Sequence, residues 1–224
     1  MKNYKVFIAC DTKKISVVRK IIKETKNNNL NIGYKFGLEF LNSKNGRDFI
    51  LSIKDKITFG DYKISDIPNT CKSAITAIKD LNFNYITIHI SSGLNALKAA
   101  KKVAGKTKLV GVSILTSLDN KSLKEIGFSK NVKKLVTHQA RLATKANLDA
   151  IVCSPHEIKL VKKVFKKEII TPGIRLPGDK RGDQKRVMSP RIAFQNGATA
   201  LVMGRSITQG NIKNNIQKIL KDIK

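Results

Sequence analysis

Short β-branched runs and longer stretches of helical period alternate along this chain eight times over, and few architectures accept that order. Strands are expected over 4–11, 32–37, 57–61, 84–90, 108–115, 149–153, 168–172 and 199–204. Helical stretches between them include 13–27, 66–80, 93–104, 131–146, 155–166 and 211–223. The strand runs, YKVFIACD and TALVMG among them, are nearly continuous in apolar residues, as strands covered on both faces must be. Buried strands alternating with helices build a parallel sheet, and eight such units are the number that closes a (β/α)8 TIM barrel. The rival, an open doubly wound sheet, would want a Gly-rich turn after its first strand, but Asp11-Thr12-Lys13-Lys14 follows instead. With 224 residues, no Pro/Ser-rich linker and no shift of composition, one α/β domain over 1–224 is expected.

Composition bears on function mainly through charge. Lys and Arg number 44 against 16 Asp and Glu, a formal net charge of +28, which first suggests a nucleic-acid binder. Of those cations 36 are Lys and only eight are Arg, whereas base-edge and bidentate phosphate recognition favour the planar Arg fork. The Lys residues come as scattered singles and pairs (Lys13-Lys14, Lys101-Lys102, Lys133-Lys134, Lys162-Lys163, Lys166-Lys167) without interleaved aromatic residues for stacking. Solvated helix faces are the preferred reading and a polyanion-binding face the alternative; no specific nucleic acid is expected as a partner. A hydrophobic content of 41% supports a sizeable core and excludes a disordered tail. No signal-peptide-like segment occurs and the longest apolar runs fall far short of a membrane span, so a cytoplasmic protein is expected. Cys10, Cys71 and Cys153 lack C-x-x-C spacing and read as buried reduced thiols, with no metal site among them.

In such a barrel, chemistry gathers where the strands end and the βα-loops begin. The residues that close the strands are Asp11, Lys35, Asp61 with Lys63, His89, Thr116 with Ser117, Ser154, Arg175, and Gly204 with Arg205. The densest cluster is Asp61-Tyr62-Lys63-Ile64-Ser65-Asp66-Ile67-Pro68-Asn69-Thr70. In extended backbone Asp61 and Lys63 project to one side, so a carboxylate and an ammonium would enter the mouth together, with Lys35 as a second cation. Gly204-Arg205 after the last strand fits the phosphate site that barrels build from their final loops. The loop from Thr171-Pro172-Gly173-Ile174-Arg175 to Lys185, with Gly178 and Gly182, reads as a lid over it.

Taken together, these segments resemble the orotidine 5′-phosphate decarboxylase family across essentially the whole chain. The resemblance rests on Asp11, Lys35-Phe36-Gly37, the block Asp61 to Thr70, Ile88-His89 with Ser91-Ser92-Gly93, Leu115-Thr116-Ser117, Val152-Cys153-Ser154, Pro172-Gly173-Ile174-Arg175, Asp183-Gln184-Lys185-Arg186 and Gly204-Arg205. It implies decarboxylation of orotidine 5′-monophosphate to UMP and CO2, the last step of UMP biosynthesis, with no metal or organic cofactor. Lys63 would donate the proton to C6, and Asp61 would face the substrate carboxylate within a charge network of Lys35, Asp61, Lys63 and Asp66. Asp66 and Thr70 would reach the neighbouring subunit's site in a homodimer. Asp11 and Lys35 would hold ribose hydroxyls, Thr116 and Ser117 the pyrimidine, and Arg175, Gln184, Gly204 and Arg205 the lid and phosphate. Ser65, Ser92 and Ser206 stand where the family often has His, Gly and Pro. The nearest rival is a metal-dependent relative acting on sugar phosphates, against which Ile67-Pro68-Asn69-Thr70 and Asp183-Gln184 weigh.

Overall fold

The computed structural model describes residues 4–26, 29–179 and 187–223. Among them, strands β1 (Lys5–Ala9), β2 (Asn31–Phe36), β3 (Ile57–Ile64), β4 (Tyr85–His89), β5 (Lys108–Val112), β6 (Ala150–Val152), β7 (Glu168–Thr171) and β8 (Ala200–Met203) form a closed barrel in chain order. Every neighbouring pair is parallel, and β8 returns to β1 through Lys5↔Ala200 to Ile8↔Met203. The expected (β/α)8 architecture is therefore the observed one.

Element boundaries depart from the sequence reading where the chain must turn over the rim. Strand pairing expected over 4–11 and 108–115 stops at Ala9 and Val112, so Asp11 and the Leu115-Thr116-Ser117 segment stand on loops. β3 departs the other way and runs past Asp61 to Ile64. Two short helices, Leu38–Leu41 and Gly46–Ser52, fill the β2–β3 connection, and Asn120–Glu125 precedes the expected long helix, found over Val132–Lys145. The last two helices begin under side-chain caps, Asp119 accepting from the Ser122 N–H and Asn131 from the Lys134 N–H, each at 2.9 Å.

Alternation along each strand divides the apolar residues between two cores. Val6, Ile8 and Cys10 pack outward against helices, whereas Phe7 and Ala9 point inward to join Phe59, Tyr85, Val110, Ala150, Ile170, Ala200 and Val202. Phe7 lies edge-on to Phe59 and to Tyr85 with ring centroids 5.0 Å apart in both cases. That ring occupies space that a side chain on β2 would need: a Cβ at Gly33 would fall 2.7 Å from Phe7 Cδ1. Beneath this layer the floor is polar, Tyr85 Oη accepting from Lys5 Nζ at 2.7 Å and donating to Glu168 Oε2 at 3.0 Å, with Lys108 also paired to Glu168. A packed interior with a closed floor leaves the opposite rim as the open end. The Lys13-Lys14, Lys133-Lys134, Lys162-Lys163 and Lys166-Lys167 pairs are all exposed, in keeping with solvated outer faces. All three cysteines are free and buried. Among the described residues, no helix is long and apolar enough to cross a membrane.

Candidate active site

The ends of β1, β2 and β3 bring four charges of alternating sign into contact. Lys35 Nζ lies 3.0 Å from Asp11 Oδ1 and 3.3 Å from Asp61 Oδ2, and Lys63 Nζ reaches the same Asp61 oxygen at 2.8 Å. Residues 24 positions apart meet because β1 and β2 pair Ala9 with Lys35, so the residues beyond that pair share the rim. Lys35 and Asp61 are 9% and 8% exposed, which makes their mutual compensation obligatory. Burial by itself would lower the Lys35 pKa, but the charges of Asp61 and Asp11 outweigh it and hold the ammonium above its ordinary value. Burial likewise pushes the Asp61 carboxyl up, and Lys35, Lys63 and the hydrogen bonds from Lys63 and Thr87 bring it below the usual range. Gly37 leaves room for this chain of charges: a Cβ there would come within 2.9 Å of Asp11 Oδ1 and 3.4 Å of Lys35 Nζ.

Asp61 and Lys63 do meet, but not through the regular extended backbone that their spacing implies. Lys63 has φ +51°, the left-handed region, and the β3–β4 register shifts between Gly60 and Ile64. The Lys63 N–H displaced by this irregularity donates to Thr87 Oγ1 on β4 at 2.8 Å, and Thr87 Oγ1 donates to Asp61 Oδ1 at 3.0 Å. Thr87 is absent from the strand-end residues singled out in the sequence, since it lies two residues before the end of β4. The one signal was a polar residue inside the apolar run Tyr85-Ile86-Thr87-Ile88.

The charges open into a cavity of about 760 Å³ at the C-terminal ends of the strands. Of the residues expected there, Asp11, Lys35, Asp61, Lys63, Thr116, Arg175, Gly204 and Arg205 line it. Apolar residues from several strands and loops, Phe59, Val112, Ile114, Val152, Pro172 and Val202, make up much of the rest of the lining, and Thr208, which sequence reasoning missed, also lines it. Ser117 is exposed and does not line it; Asp66 and Thr70 are exposed and also point elsewhere within this chain. The Asp66 carboxylate accepts from the Ile67 N–H at 2.7 Å, so the fourth member of the expected charge network stands apart from the other three in the single chain. Gln184, with Asp183, Lys185 and Arg186, lies outside the described residues.

Loop anchors frame the cavity. Beyond β7, Arg175 N–H donates to Met188 O at 3.0 Å and Met188 N–H to Gly173 O at 3.2 Å; of the expected lid, residues 180–185, Gly182 among them, lie outside the described residues. Gly204 stands at the start of a single helical turn, Arg205–Thr208, where Thr208 N–H returns to its carbonyl at 3.0 Å. Two of the residues that depart from the resemblance touch each other, Ser92 Oγ donating to Ser65 Oγ at 3.4 Å. His89 is half-buried outside the cavity lining, and burial, then the Lys63 charge, lowers its pKa. Among the described residues no three His, Cys, Asp or Glu side chains cluster as a metal site would require.

A closed parallel barrel whose open end holds alternating carboxylates and ammoniums in a cavity with a largely apolar remainder defines the class: a (β/α)8-barrel enzyme with its site at the C-terminal ends of the strands. The profile of the orotidine 5′-phosphate decarboxylase / HUMPS family matches residues 4–219, and the chain belongs to that family. It is 44% identical over 176 residues to orotidine 5′-phosphate decarboxylase of Coxiella burnetii, covering 74% of each chain. To the protein of the same name from Prochlorococcus marinus it is 37% identical over 218 residues, covering 92% of this chain and 89% of the other. The crystal structure of orotidine 5′-phosphate decarboxylase from Lactobacillus acidophilus superimposes with a TM-score of 0.84 at 28% identity, covering 99% of both chains.

Proposed function

We propose that this protein decarboxylates orotidine 5′-monophosphate to UMP and CO2, with Lys63 as the proton donor. The observation that carries the reading is the shared Asp61 oxygen, which holds the Lys63 and Lys35 ammoniums 2.8 and 3.3 Å away at the bottom of the cavity. As the bond from C6 to the carboxylate breaks, its electron pair stays on C6, where no adjacent carbonyl can take it up. A fixed ammonium next to that carbon stabilises the charge and then delivers its proton, so C6–H replaces C6–CO2⁻ and Lys63 is left neutral until solvent reprotonates it. Asp61 faces the substrate carboxylate, favouring its departure as uncharged CO2, while Val112, Ile114 and Val152 offer that gas an apolar wall.

Binding energy comes from the remainder of the nucleotide. Asp11 and Lys35 accept and donate to the ribose hydroxyls, Thr116 meets the pyrimidine edge, and Gly204, Arg205 and Arg175 receive the phosphate. The working unit in this reading is a homodimer. Asp66 and Thr70, exposed on either side of an Ile67 side chain that is 67% exposed, then enter the partner's cavity and complete the network. The test follows the ultraviolet absorbance of orotidine 5′-monophosphate. Wild-type protein should consume it, and Lys63→Ala should lose turnover while remaining folded at the assay temperature. An inactive wild type would overturn the reaction, and an active Lys63→Ala would overturn the role of Lys63.

A further inference from the structure

We infer that Thr87 is a positioning residue that sets the Asp61–Lys63 pair in reacting geometry through one hydroxyl, an inference that rests on the reaction proposed above. Its side chain is fully buried, on the inward face of β4 between Tyr85 below and His89 at the rim. Oγ1 accepts from the Lys63 N–H at 2.8 Å and donates its only proton to Asp61 Oδ1 at 3.0 Å. A single hydroxyl thus ties the backbone of one reacting residue to the side chain of the other, and each bond fixes the rotor that the other needs.

What that bond restrains is a costly conformation. A Lys at φ +51° sits where a side chain with a Cβ is disfavoured, and the register shift after Gly60 takes the Lys63 N–H out of the ordinary ladder. Without Thr87 Oγ1 a part-buried N–H would lose its acceptor, and β3 would be drawn back toward regular pairing, which turns the Lys63 side chain. Oδ1 of Asp61 would be released at the same moment, leaving the carboxylate free to rotate about the Oδ2 atom shared by the two ammoniums. Thr87 does not line the cavity, so its effect has to pass through the two residues it binds.

Thr87→Val, close in shape and lacking only the hydroxyl, tests this by steady-state kinetics with orotidine 5′-monophosphate, melting temperature and UMP affinity. The kcat should fall about 10- to 100-fold, as misplacement of a reacting group by about an ångström does, with KM and UMP affinity little changed. Thr87→Ser, which keeps the hydroxyl, should restore most of kcat. Near wild-type kcat in Thr87→Val, or a Thr87→Ser as slow as Thr87→Val, would overturn the inference. Should Thr87→Val fail to fold, Thr87→Ala, which also lacks the hydroxyl, is read in the same way, and a kcat loss that only tracks the folded fraction reduces Thr87 to a structural residue. An inactive wild type instead sinks the proposed reaction, which keeps the two failures apart.

Discussion

Replacing Asp61 with Asn removes one charge and almost no volume from the most crowded electrostatic point of the molecule. Oδ2 stands 2.8 Å from Lys63 Nζ and 3.3 Å from Lys35 Nζ. At an effective dielectric constant near 20 these attractions are each roughly 5–6 kcal/mol before desolvation is counted. Burying the carboxylate offsets much of this, and removing one partner from such a cluster typically costs about 3–5 kcal/mol. Lys63 is one-third exposed, so water softens the loss and the low end, about 3 kcal/mol, is expected. For a chain of this length that lowers Tm by roughly 6–12 °C. The pH dependence is fixed by the shifts. The depressed Asp61 carboxyl contributes stability that is present above its ordinary 3.8 and lost as pH falls through its lower folded value. The raised Lys35 contributes stability that is present below 10.5 and lost as pH rises through its higher folded value. The difference between wild type and Asp61→Asn should therefore be flat from about pH 5 to 9 and shrink in acid. Thermal melts of both proteins across that range decide it. A Tm change under about 2 °C, or one that grows toward low pH, would refute the reasoning.

Other perturbations follow from the same contacts. Gly37→Ala would drive a Cβ to 2.9 Å from Asp11 Oδ1, so kcat/KM for orotidine 5′-monophosphate should fall with only a small change in Tm. Gly33→Ala would meet the Phe7 ring, itself locked between Phe59 and Tyr85, and should destabilise the barrel by about 1–3 kcal/mol in denaturant titrations. Burial pushes the Cys10 thiol up to about 12, against a smaller opposing effect of Lys35, so native protein at pH 8 should resist thiol reagents at Cys10 and react there only after unfolding. Peptide mapping after alkylation reads that directly.

Much of this molecule was legible locally. Apolar runs alternating with helical stretches foretold the closed parallel barrel, because a strand covered on both faces must be apolar wherever it lies. Polar residues closing those runs foretold Asp11, Lys35, Asp61, Lys63, Thr116, Arg175, Gly204 and Arg205 at one cavity, because in this fold the strand ends share a rim. Boundaries were less legible: whether a strand stops at Ala9 or runs to Ile64 depends on what the neighbouring strand offers as a hydrogen-bond partner.

The amino-acid order by itself determined which charges are available and roughly where each enters the rim. Tertiary structure alone decided how they are held. Thr87 is 26 residues from Asp61 and 24 from Lys63, and its hydroxyl joins them only because β3 slips its register against β4 after Gly60. The left-handed turn at Lys63 and the gap that Gly37 leaves for Asp11 are of the same kind. Spacing along one strand fixes a direction to within a face, whereas a hydrogen bond or an ion pair needs placement within a few tenths of an ångström. That placement is supplied by closure of the barrel, which no single segment contains.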